Sequence, residues 1–310
     1  MIVLGLSPPL TSSSRAGLAH PAHMPTLEAD TALTNTVMKA PMQGTGHLQV
    51  SFVDGQSSAT LINAHAPLKL LISTTRGPSV CAFASTFGGG LVAGDHINLC
   101  VRVASLATLA IGTQSSTKVF RSDTGLFAQQ QLTATVQDGA LLGLIPDPVT
   151  CFAGSRFIQR QHIELTEQGS LLLIDPLTSG RVARDERWAF KHYESHNSVT
   201  RAGRRIVIDA TRLDTQAGTP IAQRMGRFQT IATVLLLGPR CATHAASLLA
   251  WHNSQPLNPQ ADLLMSASPV ADGVLLRLGA TRYDLLEQFL RHHLGPATTA
   301  LFGDHWQRKP

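Results

Sequence analysis

The sequence predicts a mainly β protein, a sandwich, barrel or solenoid of many short strands, with two α-helices near the C-terminal end. Three observations predict it. Ile97, Leu99, Val101 and Val103 alternate with Asn98, Cys100 and Arg102, the period-2 pattern of a half-buried strand. Short apolar runs recur along the chain between turn residues. Helical spacing of apolar residues appears only late in the chain.

Taken in order, residues 1–43 read as a tail. They are rich in Ser, Thr, Pro and Ala and lack sustained periodicity, and Met24, Met38 and Met42 are alternative starts. Order is expected from Gly44. Strands are expected at 97–103, 109–111, 141–145, 171–174, 206–208, 234–237 and 274–278. The turns between them are marked by Asp138-Gly139, Pro146-Asp147-Pro148, Gln168-Gly169, Asp175-Pro176 and Gly238-Pro239. One helix is expected over 242–251, where Leu248, Leu249 and Trp251 sit among small helix formers. A second runs over about 281–293: Thr281 and Asp284 read as a capping box, and Leu285, Leu286, Phe289 and Leu290 form its apolar stripe. With no sequence repeat and no internal linker, 44–310 reads as a single domain.

Composition narrows the function classes. The 310 residues are 43% hydrophobic and 15% charged, enough to build a core and too apolar for disorder. The net charge is +5, but the densest basic cluster, Arg201 with Arg204 and Arg205, has no interleaved aromatics. That argues against nucleic acid and leaves a basic face for an acidic protein, or a merely solvated surface. Cys81, Cys100, Cys151 and Cys241 form no C-x-x-C pair, so neither a zinc knuckle nor a disulfide framework is expected. Free thiols fit a reducing, cytoplasmic setting. No apolar run approaches the ~20 residues that span a bilayer, so no membrane association is expected.

The motifs that could carry chemistry are few. Gly89 and Gly94 have phosphate-loop spacing, but Asp95 and His96 follow where Lys and Ser or Thr are required. The glycines of 88–95 then serve a tight turn before the next strand, with or without a protein contact. No G-x-S-x-G elbow or H-E-x-x-H motif occurs. A β-fold hydrolase using Asp147, Asp175 and a histidine such as His162, with Glu186 as a further acid, stays open as an alternative. His192, Glu194 and His196 share one face of a strand and offer borderline ligands for nickel or zinc; the competing reading is a solvated strand end. Asp175 ends a fully apolar run, so its carboxylate is either paired, with Arg181 the candidate, or held for a ligand.

Six segments in register resemble the UreD/UreH family of urease accessory proteins. They are Ala66-Pro67-Leu68-Lys69-Leu70-Leu71, the Gly run of 88–95, and Thr113-Gln114-Ser115-Ser116-Thr117-Lys118-Val119-Phe120-Arg121-Ser122. Leu144-Ile145-Pro146-Asp147-Pro148 follows, then Asp175-Pro176-Leu177-Thr178-Ser179-Gly180-Arg181 with Trp188, and Leu275-Leu276-Arg277-Leu278 before a helix. The resemblance covers about 44–310. It implies a helical β-solenoid with two α-helices and a non-enzymatic role as a maturation chaperone. The implied partners are the urease apoprotein, the accessory protein UreF and, through UreF, the GTPase UreG, so that GTP belongs to the partner. Nickel is implied as a transferred ion, passing an internal route whose positions match Asp95, Asp175 and Glu186, with Thr113, Ser115 and Lys118 as polar lining. One departure stands out: Asp185 precedes Glu186 where the family usually has Gly. Asp tolerates left-handed backbone, so the turn is expected to survive.

Overall fold

The computed structural model describes residues 44–73, 77–216 and 218–303, and the expected tail of 1–43 lies outside them. The chain runs through β1 (Thr45–Val53), β2 (Gln56–Ala64), β3 (Leu68–Ile72), β4 (Val80–Thr86), β5 (His96–Val103), β6 (Thr108–Thr113), β7 (Thr117–Val119), β8 (Ala128–Val136) and β9 (Leu141–Leu144). It continues through β10 (Val149–Cys151), β11 (Arg156–Leu165), β12 (Ser170–Thr178), β13 (His192–Arg201), β14 (Arg204–Asp214), α1 (Ile221–Met225), β15 (Thr230–Leu237), α2 (Ala242–Ser254), β16 (Leu263–Val270), β17 (Gly273–Ala280) and α3 (Tyr283–Phe302).

Two facing sheets form a β-solenoid. The first has the order β14-β13-β11-β8-β5-β1-β2, and the second β16-β17-β15-β12-β9-β6-β4-β3, with β7 and β10 on a short third side. The chain alternates between sheets, so β5, β8, β11 and β13 stack in parallel on one side and β4, β6, β9 and β12 on the other. Antiparallel strands close both ends, β2 and β3 at one and β14 to β17 at the other.

The burial pattern explains the strand signals. The first sheet faces its partner on one side only, so β5 alternates exposed and buried along its length. The second sheet is covered on both faces, and β9, β12 and β15 are almost continuously buried. Leu48, Leu99, Leu142, Leu171 and Leu173 fill the space between the sheets. Leu172, Val234, Leu236 and Leu276 point the other way, against Leu248 of α2 and Leu286, Leu290, Leu294 and Phe302 of α3.

Three local expectations are corrected. Asp175-Pro176 is no turn: both residues lie inside β12. There β9 has already ended and β10 has not begun, so the strand's parallel pairing is interrupted on one side. Such a gap is where proline's missing donor is tolerated. Thr281 and Asp284 form no capping box. Thr281 Oγ1 donates to Asp262, Asp284 pairs with Arg282, and the helix begins without a side-chain cap. That helix also runs on through Pro296 to Phe302, and a third, five-residue helix, α1, was not foreseen. Among the described residues no helix is long and apolar enough to cross a membrane.

Candidate functional site

The space between the sheets is not apolar throughout. In β11, Phe157, Ile163 and Leu165 fix which residues point inward, and the same parity carries Gln159 and Gln161 into the interior. Register places Gln130, Gln159, Ser195 and Thr211 in one row across the first sheet, and Gln161, Asn197 and Asp209 in the next. The second sheet answers with the row Asp175, Thr233, Arg277. These residues form a polar seam inside the solenoid.

Asp175 is its centre and is 8% exposed. Its carboxylate accepts from Gln159 Nε2 at 2.9 Å, Ser195 Oγ at 2.5 Å and Asn197 Nδ2 at 3.0 Å. Arg181 is not its partner. Gln161 Nε2 in turn donates to Asn197 Oδ1 at 2.9 Å. Asp209, also buried, accepts from Thr233 Oγ1 at 3.0 Å and pairs with the Arg277 guanidinium at 2.5 Å. Burial, aided by the nearby Asp175 charge, pushes the Tyr193 phenol well above its usual value and keeps it neutral beside the seam. The three donors leave the buried Asp175 side chain with its hydrogen-bonding needs met.

Two small cavities meet at Asp175. One, of about 50 Å³, is lined by Thr113, Gln130, Asp147, Gln159, Gln161 and Asp175. The other, of about 70 Å³, reaches from Asp175 past Tyr193 and Thr211 to Thr233 and Arg277. Each has room for a few waters or a small ion with polar partners. Thr113 and Gln130 also line a surface cleft together with Gly89, Gly90 and Ser115. Polar lining is thus shared from that cleft, through Thr113, Gln130 and Asp175, to Arg277.

The other sequence candidates fall outside this seam. Asp95 accepts from the backbone N–H of Val92 at 2.9 Å and braces the Gly turn, where Gly88, Gly89 and Gly94 all have positive φ. Lys118 is exposed on β7. Glu186 is held by Arg181 through both carboxylate oxygens and accepts from Ala153 N at 3.1 Å. The Arg181 hydrogen bond holds its carboxyl below the usual value. Arg181 also lies 4.1 Å from the Phe152 ring centre. Asp185 adopts φ 61°, the left-handed conformation its Gly alternative would supply.

His192, Glu194 and His196 do share the outer face of β13, but the end is not simply solvated. His192 is buried edge-on against Phe127, and burial lowers its pKa. Its Nε2 lies 3.6 Å from Glu194, whose other oxygen takes Arg160. His196 instead neighbours His162 across the strands. Among the described residues no group of three or more His, Cys, Asp or Glu is gathered to hold a metal. Asp147 does join Asp175 around one cavity, bonded to Thr113. His162 lies on the outer side of β11, among Thr133, Glu164 and Ser198, and among the described residues no histidine lines the inner cavity. The hydrolase set is therefore not assembled.

Residues 42–309 match the family model described as UreD urease accessory protein. The chain belongs to the UreD family. It is 44% identical to a urease accessory protein UreD of Sorangium cellulosum (strain So ce56), over 87% of this chain and 86% of that one. It is 40% identical to a urease accessory protein UreD of Anaeromyxobacter sp. (strain Fw109-5), over 86% and 90%. A urease accessory protein D of Oryza sativa subsp. japonica is 34% identical over 86% and 95%. For this UreD chain, the seam residues missed in the sequence were Gln130, Gln159, Gln161, Ser195, Asn197, Asp209, Thr233 and Arg277. The usable signal was strand parity: polar residues at positions where their neighbours two along are apolar.

Proposed function

We propose that this chain is a urease maturation scaffold that binds the urease apoprotein and UreF, reaches the GTPase UreG through UreF, and passes nickel along the polar seam toward the urease active site. Membership of the UreD family supports the urease role. One structural observation supports the nickel route: Asp175 is the common wall of two cavities whose partly apolar linings both carry oxygen-bearing side chains.

The chemistry suits a relay. Oxygen ligands bind nickel less tightly than a Cys/His cage does, so an ion can enter and leave. The Gln159, Gln161 and Asn197 amides currently point N–H groups at their acceptors. Turned over, each presents a carbonyl oxygen to a cation without moving its strand. GTP has no place in this chain's part of the reaction; it serves UreG.

Asp175→Asn tests the route with little change of shape. Urease activation in cells should fall roughly tenfold or more, the size typical of removing a residue around a metal path. Size-exclusion recovery of the variant with co-expressed UreF should be unchanged. Normal activation by a folded, UreF-bound variant would remove Asp175 from the route.

A further inference from the structure

The seam has a cation of its own at one end. Arg277 sits third in the row Asp175, Thr233, Arg277 and lines the cavity whose inner wall is Asp175. Its guanidinium crosses to the first sheet and grips Asp209 through Nη2 at 2.5 Å and Nε at 3.2 Å. The pair is lopsided: the Arg277 side chain is 59% exposed, whereas the Asp209 side chain is 4% exposed. The second Asp209 oxygen is taken by Thr233 Oγ1.

A divalent ion leaving Asp175 in this direction meets a fixed positive charge. The same carboxylate that could receive it is already neutralised. Since more than half of the Arg277 side chain is exposed, it can swing outward by rotation of its own bonds, while Asp209 stays anchored in β14. Asp209 would then face the cavity with one oxygen released. We infer that Arg277 is a counter-ion latch: in the free chain it holds the place of the travelling cation at Asp209, and the seam accepts nickel at this end only when the guanidinium swings away. The inference rests on the proposed nickel route, and its closest relative in channel physics is a charged residue that sets an electrostatic barrier in a pore.

Nickel titration of the purified full chain by calorimetry separates the two ideas, because it needs no urease. Arg277→Gln should bind Ni²⁺ at least tenfold more tightly than the parent. Arg277→Lys, which keeps the charge but loses the two-point guanidinium grip, should bind Ni²⁺ more tightly than the parent and less tightly than Arg277→Gln. Arg277→Gln with Asp209→Asn should return to the parental affinity. Parental affinity in Arg277→Gln, or a gain that survives in the double variant, overturns the latch. Should Arg277→Gln fail to fold, the parent itself serves: saturating Ni²⁺ should raise modification of Arg277 by an arginine-specific dicarbonyl, read by peptide mass spectrometry. Unchanged labelling overturns the latch equally. Failure of Asp175→Asn to affect urease activation would instead strike the route and leave these titrations standing.

Discussion

At Glu186 a single ion pair fixes a corner of the chain. Arg181 bonds both of its oxygens, stacks on Phe152, and spans the left-handed turn at Asp185. Because the folded carboxyl is held below its ordinary value of 4.5, the pair's contribution is full above that value and is lost as pH falls through the lowered one. Glu186→Gln should therefore lower the melting temperature at neutral pH, with the gap to the parent closing in acid, measured by calorimetry across pH. His192 has the opposite chemistry. Burial favours its neutral ring, so the unfolded chain takes up a proton at higher pH than the folded one does, and stability drops as pH falls below 6.5. Packed against Phe127, His192→Ala should cost about 1–3 kcal/mol in a denaturant titration, as a truncation in a packed site does. The more open His196→Ala should stay within about 0.5 kcal/mol. Neither should reduce urease activation beyond the loss of folded protein; a selective loss would restore the metal reading of that face. Sequence alone placed both histidines on one face, but burial of His192 depends on Phe127, which arrives from outside β13, so strand periodicity could not reveal it.

At the level of elements, the strands of the second sheet and the helices that cover it were legible for different reasons. Continuous runs such as 171–174 and 234–237 announced strands buried on both faces. The end of α3 was hidden, because Gly295-Pro296 reads as a stop. The helix continues since Leu294, Ala297, Thr298, Leu301 and Phe302 are all buried, which outweighs the backbone bond that proline removes. Phe302 in turn explains Gly143: a Cβ on that glycine would lie 2.6 Å from the Phe302 ring. Gly143→Ala should destabilise by about 1–3 kcal/mol, the cost of overpacking a filled core. Adding Phe302→Leu should recover part of that loss, as read from paired urea titrations. If the two changes simply add, the contact is not what constrains Gly143.

Across the whole molecule, the sheet edges are treated unequally. The β14 edge carries Arg204, Arg205 and Arg212, β16 carries Pro269, and β3 is short and carries Lys69. β2 is nine residues long and has neither charge nor proline, and Leu61 and Ile62 are 49% and 46% exposed. Such an edge invites pairing with another chain. Leu61→Lys should therefore raise the soluble, monodisperse fraction of the chain expressed alone, measured by size-exclusion chromatography with light scattering. No change would locate the association elsewhere. The solenoid itself left no repeat in the sequence. Successive coils start at His96, Ala128, Arg156 and His192, so their lengths differ, and each coil is specified by strand parity rather than by a recurring motif. The seam was half legible at this scale. Asp175 stood out as a charge in an apolar run, whereas its partners lie on strands that meet it only through the fold.

The strand order of the first sheet also bears on how the protein is made. After β1, the strands β5, β8, β11, β13 and β14 lie side by side in the order in which the ribosome delivers them. Each new strand finds its template already in place, so the sheet can grow coil by coil from an emerging chain. Among the described elements, α3 is the last to be made. Phe302, among the final described residues, caps Gly143, and its carbonyl accepts from Ser79 Oγ at 2.5 Å, joining the end of α3 to the foot of β4. A nascent chain stalled before α3 would leave the part of the second sheet's outer face that Leu286, Leu290, Leu294 and Phe302 cover exposed to solvent.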